Sequence, residues 1–425
     1  MRLKRALCLI ITLVVAFLFS GCSMNGVEGL YALPKLSDEY IQLEELIDQQ
    51  LRSGGEYAAP ASGSNRQSVQ LHDLNGDRTA EAIAFLADET HSPTICIYRR
   101  DSQGEFYLYV IIRGEGSSLG SVDYADLTGD GSDELIVSWQ IGGDLRLLSV
   151  YSLLEENIRQ ANTELLNTDS SDYIVCDLDG NGISELIDLC VDYGGTSTLV
   201  RYVFDNGSRS EYDARLSAGI RDVLRLRIGS LSDGTSALFA ESAYGEDGII
   251  TDVFTASGGL SNITITSDSR SDTLRDGSVF CRDIDGDRAL ELPETSGDLI
   301  RWFGIDAANT RELRMTTYHD FEDGWYLTLS GALLDGRLTA VKTEDIPGET
   351  AVTFSNSGIG MLVIYTLTGE NRLDRAAADG RFVLTQNETT VYAAKLLPGG
   401  ESLRQSAIVD DFSLIYPDWQ TGERK

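Results

Sequence analysis

Positive charge is scarce in this chain. Lysine and arginine total 34 against 67 aspartates and glutamates, a formal net charge of −33 over 425 residues. Phosphate backbones need a basic surface, so nucleic acid is excluded as a partner. Electrostatic docking on anionic lipid is excluded for the same reason. Histidine is limited to His72, His91 and His319, and none of the six cysteines forms a C-x-x-C pair, which removes the usual zinc and redox sites. Proline is rare, at seven residues, whereas glycine reaches 42. No G-x-S-x-G, H-E-x-x-H or phosphate-loop motif occurs. The 67 acids permit many pairings for glycoside hydrolysis and single out none. Trp139, Trp302, Trp325 and Trp419 are expected in cores, with sugar stacking as the alternative.

Long hydrophobic runs are also missing, apart from one at the start. Arg2, Lys4 and Arg5 precede an apolar stretch from Ala6 to Phe19, and Ser20-Gly21 then leads to Cys22. The stretch is short for a membrane span and suits a signal peptide. The ending "FSGC" resembles the bacterial lipoprotein box, with Phe19 where leucine is usual. That likeness implies cleavage after residue 21 and lipidation of Cys22, which anchors the protein to the membrane; a plain secretory signal is the alternative. Of the other cysteines, Cys8 leaves with the leader. Cys96, Cys176, Cys190 and Cys281 lie in strand-like surroundings and read as free thiols, with a single disulfide as the alternative.

What the chain has in excess is a repeated acidic turn. "CDLDGNGISELIDL" (176–189) crowds oxygen-bearing side chains into nine residues and then enters an apolar run. "HDLNGDRTAEAIAFL" begins at His72, "ADLTGDGSDELIVSW" at Ala125 and "RDIDGDRALELPE" at Arg282. Their first aspartates, Asp73, Asp126, Asp177 and Asp283, are separated by 53, 51 and 106 residues. The missing register falls near Ser230, where "GSLSDGTSALFAES" keeps the glycine turn and loses most of the acids. Five registers with a period of about 53 define a repeat architecture.

Counted from the first aspartate, positions 1, 3, 5 and 9 are Asp73, Asn75, Asp77 and Glu81 in the first loop. They are Asp126, Thr128, Asp130 and Glu134 in the second, and Asp177, Asp179, Asn181 and Glu185 in the third. In the last they are Asp283, Asp285, Asp287 and Glu291. Glycine at position 4 permits the bend, and the carbonyl at position 7 adds an oxygen. An all-oxygen set suits a hard cation, and flexible coordination favours calcium over magnesium. Thr128 makes the second loop the weaker ligand set, and the register near Asp233 is expected to bind nothing.

Along the chain, 23–36 reads as a tether and 37–53 as an amphipathic helix whose apolar face is Tyr40, Leu43, Leu46, Ile47 and Leu51. Residues 54–66 read as a flexible link. From 67 to 300, short β-branched and aromatic runs separated by turns give about four strands per repeat, blade-like content for a β-propeller. "LSAGIRDVLRLRI" (216–228) reads as an inserted short helix. Past 300 the period fades into a smaller α+β domain, 301–425.

The loops resemble the calcium loops of FG-GAP and VCBS-type repeats, the units of integrin α-subunit propellers. The closest likeness is to VCBS repeat-containing lipoproteins of Gram-positive gut bacteria. It covers roughly 67–295, with Glu at position 9 where Asp is usual and no literal Phe-Gly…Gly-Ala-Pro string. The resemblance implies structural calcium at the start of each blade, and a location on the outer face of a Gram-positive cell membrane. The chain thus divides into a leader (1–21), a lipidated tether and helix (22–66), propeller-like repeats (67–300) and the α+β domain. Two functions follow: a surface binding or scaffolding protein for a protein or carbohydrate ligand, or an enzyme on extracellular polysaccharide.

Overall fold

The computed structural model describes residues 38–52, 54–143, 145–154, 163–191, 197–205, 208–276, 279–297, 299–334 and 337–415. The leader 1–21, Cys22, the tether 23–36 and Trp419 lie outside them. The chain is mainly β, 54% strand against 9% helix, and is built from antiparallel sheets of four or five strands, none closed into a barrel. It forms two compact units.

The first unit comprises Met1–Ala58, Ser68–His72 and Ala80–Arg113. Its helix α1 (Asp38–Leu51) is where the apolar spacing predicts one. Leu43 and Ile47 are buried, with Tyr40, Leu46 and Leu51 packed beside them, against Ala82, Ala84, Cys96 and Phe106. The sheet contains β1 (Glu56–Tyr57), β2 (Val69–His72), β3 (Glu81–Ala87), β4 (Pro93–Arg100) and β5 (Phe106–Arg113). Both β1 and β2 pair along one edge of β3. Residues 54–66 are therefore not a free link. Glu56 and Tyr57 extend this sheet, and further along, in the second unit, Ser62 and Asn65 bond the Gly120 and Val122 carbonyls. Those hydrogen bonds outweigh the Gly/Ser composition.

Among the described residues, the second unit holds five sheets. Its first is the meander β6 (Ser118–Ala125), β7 (Glu134–Gly142), β8 (Leu145–Tyr151) and β9 (Glu164–Ser170). The next is β10 (Asp172–Cys176), β11 (Glu185–Cys190), β12 (Thr198–Asp205) and β13 (Ser208–Arg215). The third is β14 (Ile220–Ser230), β15 (Ser236–Tyr244) and β16 (Gly248–Thr255), edged by β17 (Ser261–Asn262) and β18 (Arg275–Asp276). The fourth runs β19 (Leu292–Ser296), β20 (Leu299–Ile305), β21 (Arg311–Asp320) and β22 (Trp325–Thr328). The last contains β23 (Leu338–Ile346), β24 (Glu349–Asn356), β25 (Ile359–Thr368), β26 (Phe382–Gln386) and β27 (Thr390–Leu396), with helices α2 (Arg372–Ala377) and α3 (Gln405–Asp411). The chain then returns as β28 (Phe412–Leu414) to pair with β22.

Within this unit each sheet packs on the next in the chain. Ile136, Leu148 and Val150 meet Leu186, Tyr202 and Phe204. Ile187 and Leu199 meet Leu238 and Phe254. Phe239 and Val253 meet Leu290, Leu292 and Ile305. Tyr318, Trp325 and Leu327 meet Phe354, Leu362 and Ile364. A strand covered on both faces calls for a largely apolar run, which is what "ELIVSW" and "ELIDL" supply, with Ser138 and Asp188 as buried polar exceptions. The outer strand β13, "SRSEYDAR", is almost wholly exposed and charged, which protects a sheet edge.

Two sequence expectations are corrected. Residues 216–228 are not a helix; Ile220–Ser230 is the long strand β14, bulged between Ile220 and Asp222 and between Val223 and Arg225. The bulges break the alternation and leave an apolar spacing that imitates a helical one. A domain break at 300 also fails, because it falls inside β20, in the middle of a sheet.

Trp139, Trp302 and Trp325 are fully buried, as core packing requires. Trp139 donates from Nε1 to Ser149 Oγ (3.1 Å), and its ring lies directly on Gly114. A Cβ at Gly114 would collide with the indole. Gly114→Ala should therefore destabilise the protein by about 1–3 kcal/mol through overpacking. A thermal melt reads this as a drop of a few degrees; an unchanged midpoint would mean the ring has room to shift.

Candidate metal centre

Each acidic turn occupies the same place in its sheet. Residues 126–133 join β6 to β7, and 177–184 join β10 to β11. Residues 283–290 lead into β19, where a bridge between Arg282 and Glu291 closes the equivalent hairpin. The acid-poor turn 231–235 joins β14 to β15.

The aspartate at position 1 organises the turn by accepting backbone N–H groups. Asp126 takes those of Gly129 (2.6 Å) and Gly131 (2.9 Å), and Asp177 those of Gly180 (2.8 Å) and Gly182 (2.9 Å). Asp283 takes those of Gly286 (2.7 Å) and Arg288 (3.0 Å), and Asp73 that of Arg78 (2.7 Å). The position-5 side chain accepts from position 7, as Asp77 does from Thr79 and Asp130 from Ser132. Asn181 accepts from Ile183 and Asp287 from Ala289 in the same way. Asn75 and Asp77 also bond each other (3.1 Å). Position 4 has φ between 72° and 83° in all four turns, which explains its glycine.

Position 9 adds what the spacing alone does not show. One carboxylate oxygen of the glutamate folds back to accept the position-2 N–H: Leu127 to Glu134 (3.0 Å), Leu178 to Glu185 (2.7 Å) and Ile284 to Glu291 (2.9 Å). The other oxygen distinguishes the loops. In Glu134 and Glu291 it is buried without any hydrogen-bond partner, and the residues are only 1% and 0% exposed. In Glu185 it is held by Arg201, whose guanidinium also grips Asp179. Glu81, within the first unit, pairs with Arg99 (3.2 Å).

Electrostatics follow that difference. Burial pushes the Glu134 carboxyl up to about 7 against the Leu127 hydrogen bond, and the charges of Asp130 and Asp126 push the same way. Burial likewise raises Glu291 to about 7, with Asp285, Asp287 and Asp283 adding to it. Burial raises Glu185 too, but Arg201 opposes it.

Among the described residues, acid oxygens close to within 4.8 Å of one another in two groups: Asp177, Asp179 and Glu185, and Asp283, Asp285 and Asp287. The second loop adds a buried, unpartnered Thr128 Oγ1 beside Glu134. Unpaired buried oxygens of this kind are costly, and a cation satisfies them. Such unpaired oxygens offer ligands to a cation at 126–134 and, with the aspartate oxygens grouped within 4.8 Å, at 283–291. At the acid-poor turn, Asp233 is already used by the backbone N–H groups of Ala307 and Thr235 (both 3.0 Å).

Sequence reasoning misses Arg99, Arg201 and Arg314, the last of which reaches Asp287 (3.0 Å) and sits 3.9 Å from Asp285. The available signal is a cation inside an apolar strand, as in "STLVRYVF". His319 is a core residue: it stacks on Tyr326, bonds Thr317, and burial lowers it to about 3. Cys96, Cys176, Cys190 and Cys281 are all free thiols. A cavity of about 520 Å³ lies beside the Asp283 loop, lined by Arg282, Asp283, Asp285, Tyr326, Thr385 and Phe412 among others. No described helix is long and apolar enough to cross a membrane.

No family model matches the chain, and no curated protein does. Among solved structures the chain is similar to the isotype 1 transferrin binding protein B of serogroup B Neisseria meningitidis. The identity is 9% and the TM-score 0.10, over 79% of this chain and 70% of the other. A likeness that slight carries nothing about fold or role.

Proposed function

We propose that this is a lipid-anchored, extracytoplasmic binding or scaffolding protein whose propeller-type sheets are clamped by calcium at their turn loops. The supporting observation is the pair of fully buried, unpartnered carboxylate oxygens of Glu134 and Glu291, each set among aspartates at the same point of its sheet. In this reading Asp126, Thr128, Asp130 and Glu134 hold one ion, and Asp283, Asp285, Asp287 and Glu291 another. The role is structural. Each ion neutralises an acidic turn and fixes the start of the buried second strand. The membrane is reached through Cys22. The ligand, a protein or a carbohydrate, is taken up on the rigid surface so formed, and the cavity beside the Asp283 loop is the first place to look for it. The same cavity keeps a polysaccharide-acting enzyme as the second reading, since it brings Arg282 and two aspartates next to Tyr326.

Calorimetric titration of residues 23–425 tests the reading. Calcium should bind with dissociation constants of about 0.1–1 mM, as in extracellular modules. At about 5 mM it should add about 1–2 kcal/mol per site, visible as a rise in melting temperature that EDTA reverses. Glu134→Gln and Glu291→Gln should each remove one ion. No heat up to about 5 mM and no effect of EDTA would sink the calcium clamp.

A further inference from the structure

The three complete loops of the second unit are alike in their backbone bonds and differ at one facing position. Position 11 of the third loop is Ile187, and the residue paired with it on β12 is Arg201. In the second loop position 11 is Ile136 and its partner on β8 is Val150. In the last it is Pro293 and its partner on β20 is Trp302. Where that partner is apolar, the position-9 glutamate has an unsatisfied oxygen; where it is arginine, the oxygen is taken.

We infer that the guanidinium of Arg201 is the resident cation of the Asp177 loop, so that this loop closes without metal while its sister loops require it. This rests on the loop chemistry proposed above and assigns which loops carry it out. Three observations converge. Arg201 is almost completely buried, at 4% exposure, and is flanked along its strand by Leu199, Val200, Tyr202, Val203 and Phe204. Its Nη2 contacts both Asp179 and Glu185, two of the three acids whose oxygens cluster there. Its Nη1 donates to the Gly259 carbonyl (3.1 Å), in the turn between β16 and β17 of the following sheet. A planar, permanently charged fork suits that arrangement of two carboxylates and a carbonyl. A calcium ion in the same loop would need the carboxylate oxygens that Arg201 holds and would face its positive charge. Arg314 at the Asp283 loop does not do the same. It is partly exposed, it reaches Asp287 at the rim, and the Glu291 oxygen stays unpartnered.

The third loop, whose ligand set looks as complete as any in the sequence, is thereby removed from the calcium-dependent set. It supplies a link between neighbouring sheets that is indifferent to chelators. Its two relatives, with Val150 and Trp302 in the corresponding place, leave their acids for an external ion.

The test is a count of calcium ions, by equilibrium dialysis of residues 23–425, in the wild type and in Asp179→Asn, Arg201→Met and the double variant. Asp179→Asn should leave the wild-type number unchanged. Arg201→Met should bind one ion more than wild type, and adding Asp179→Asn should abolish that gain. Loss of an ion in Asp179→Asn alone would show that the loop holds metal despite Arg201, and would overturn the inference. So would Arg201→Met with no gain. If Arg201→Met does not fold even in calcium, the Asp179→Asn count decides, because that side chain is partly exposed and its replacement is mild. The two proposals fail separately. A wild type that binds no calcium refutes the clamp at Glu134 and Glu291, whereas one added ion in Arg201→Met would still place Arg201 where a metal would sit.

Discussion

Without calcium, the protein should lose stability as pH rises from about 4.5 to about 7, the reverse of ordinary acid denaturation. The cause is the pair Glu134 and Glu291, whose folded carboxyls are raised from 4.5 to about 7 by burial and by neighbouring aspartates. An unfolded glutamate releases its proton near 4.5, while these two hold theirs until about 7. Over that interval the folded state binds more protons, so stability falls with pH. Below about pH 4.5 the contribution is fully present; above about pH 7 it is gone. At about 1.4 kcal/mol per unit, each glutamate accounts for about 3–4 kcal/mol. Calcium should reverse the trend at high pH and matter little at low pH, since it needs the deprotonated carboxylates. Urea melts at pH 5 and pH 8, with calcium or with EDTA, measure this. The double variant Glu134→Gln/Glu291→Gln should flatten the profile. A flat wild-type profile in EDTA would mean that the two buried oxygens have partners after all.

Arg275→Met should be comparably damaging, at about 3 kcal/mol, because it removes the nearer of two guanidiniums from the buried Glu241 carboxylate and leaves Arg225, 3.9 Å away, to face it. Arg275 is buried on β18. Its Nη2 pairs with Glu241 (2.9 Å), its Nη1 donates to Thr251 (3.0 Å), and its Nε donates to the Val279 carbonyl (2.6 Å). Glu241 also accepts the Cys281 N–H (2.7 Å), two residues before Asp283. The pair therefore holds the chain on the approach to the last acidic turn. Glu241→Gln in the same molecule should recover part of the loss, since the amide oxygen still accepts from Cys281 and the stranded charge is gone. Chemical denaturation of both variants gives the coupling, and an undiminished loss in the double variant would show that packing of the Arg275 stem dominates. Calcium affinity measured on Arg275→Met should fall as the turn loosens.

The acidic turns were legible because their chemistry is local. Every side chain from position 1 to position 9 lies within nine consecutive residues, and glycine at position 4 marks the bend. The second strands β7 and β11 were legible for a related reason: a strand covered on both faces is written as a largely apolar run, as in "ELIVSW". Arg201 was not legible as a ligand, because its place beside Glu185 is set by the β11–β12 register, 16 residues away in sequence. A lone arginine in an apolar strand is an anomaly that only pairing explains. Strand β14 was hidden by bulges, and β28 by distance, since it joins β22 after an entire intervening sheet. The strand order is a simple meander in the sheets β6–β9 and β10–β13; in the last sheet β27 inserts between β25 and β26, and β28 returns to β22 from far along the chain.

Three of the turns are also joined to the one before, in the same sense. The N–H at position 8 of one turn donates to a carbonyl at position 1 or 2 of the turn before it: Asp133 to Leu74 (3.1 Å), Ser184 to Asp126 (3.2 Å) and Leu290 to Ser230 (2.9 Å). A ribosome delivers the chain in that order, so each emerging turn finds its acceptor already made. Removing sheets from the C-terminal side leaves surplus carbonyls, which water or a second lone pair tolerates, whereas removing them from the N-terminal side strands amide donors. The bonds between turns thus have a polarity, with each acceptor in the earlier segment and each donor in the later one.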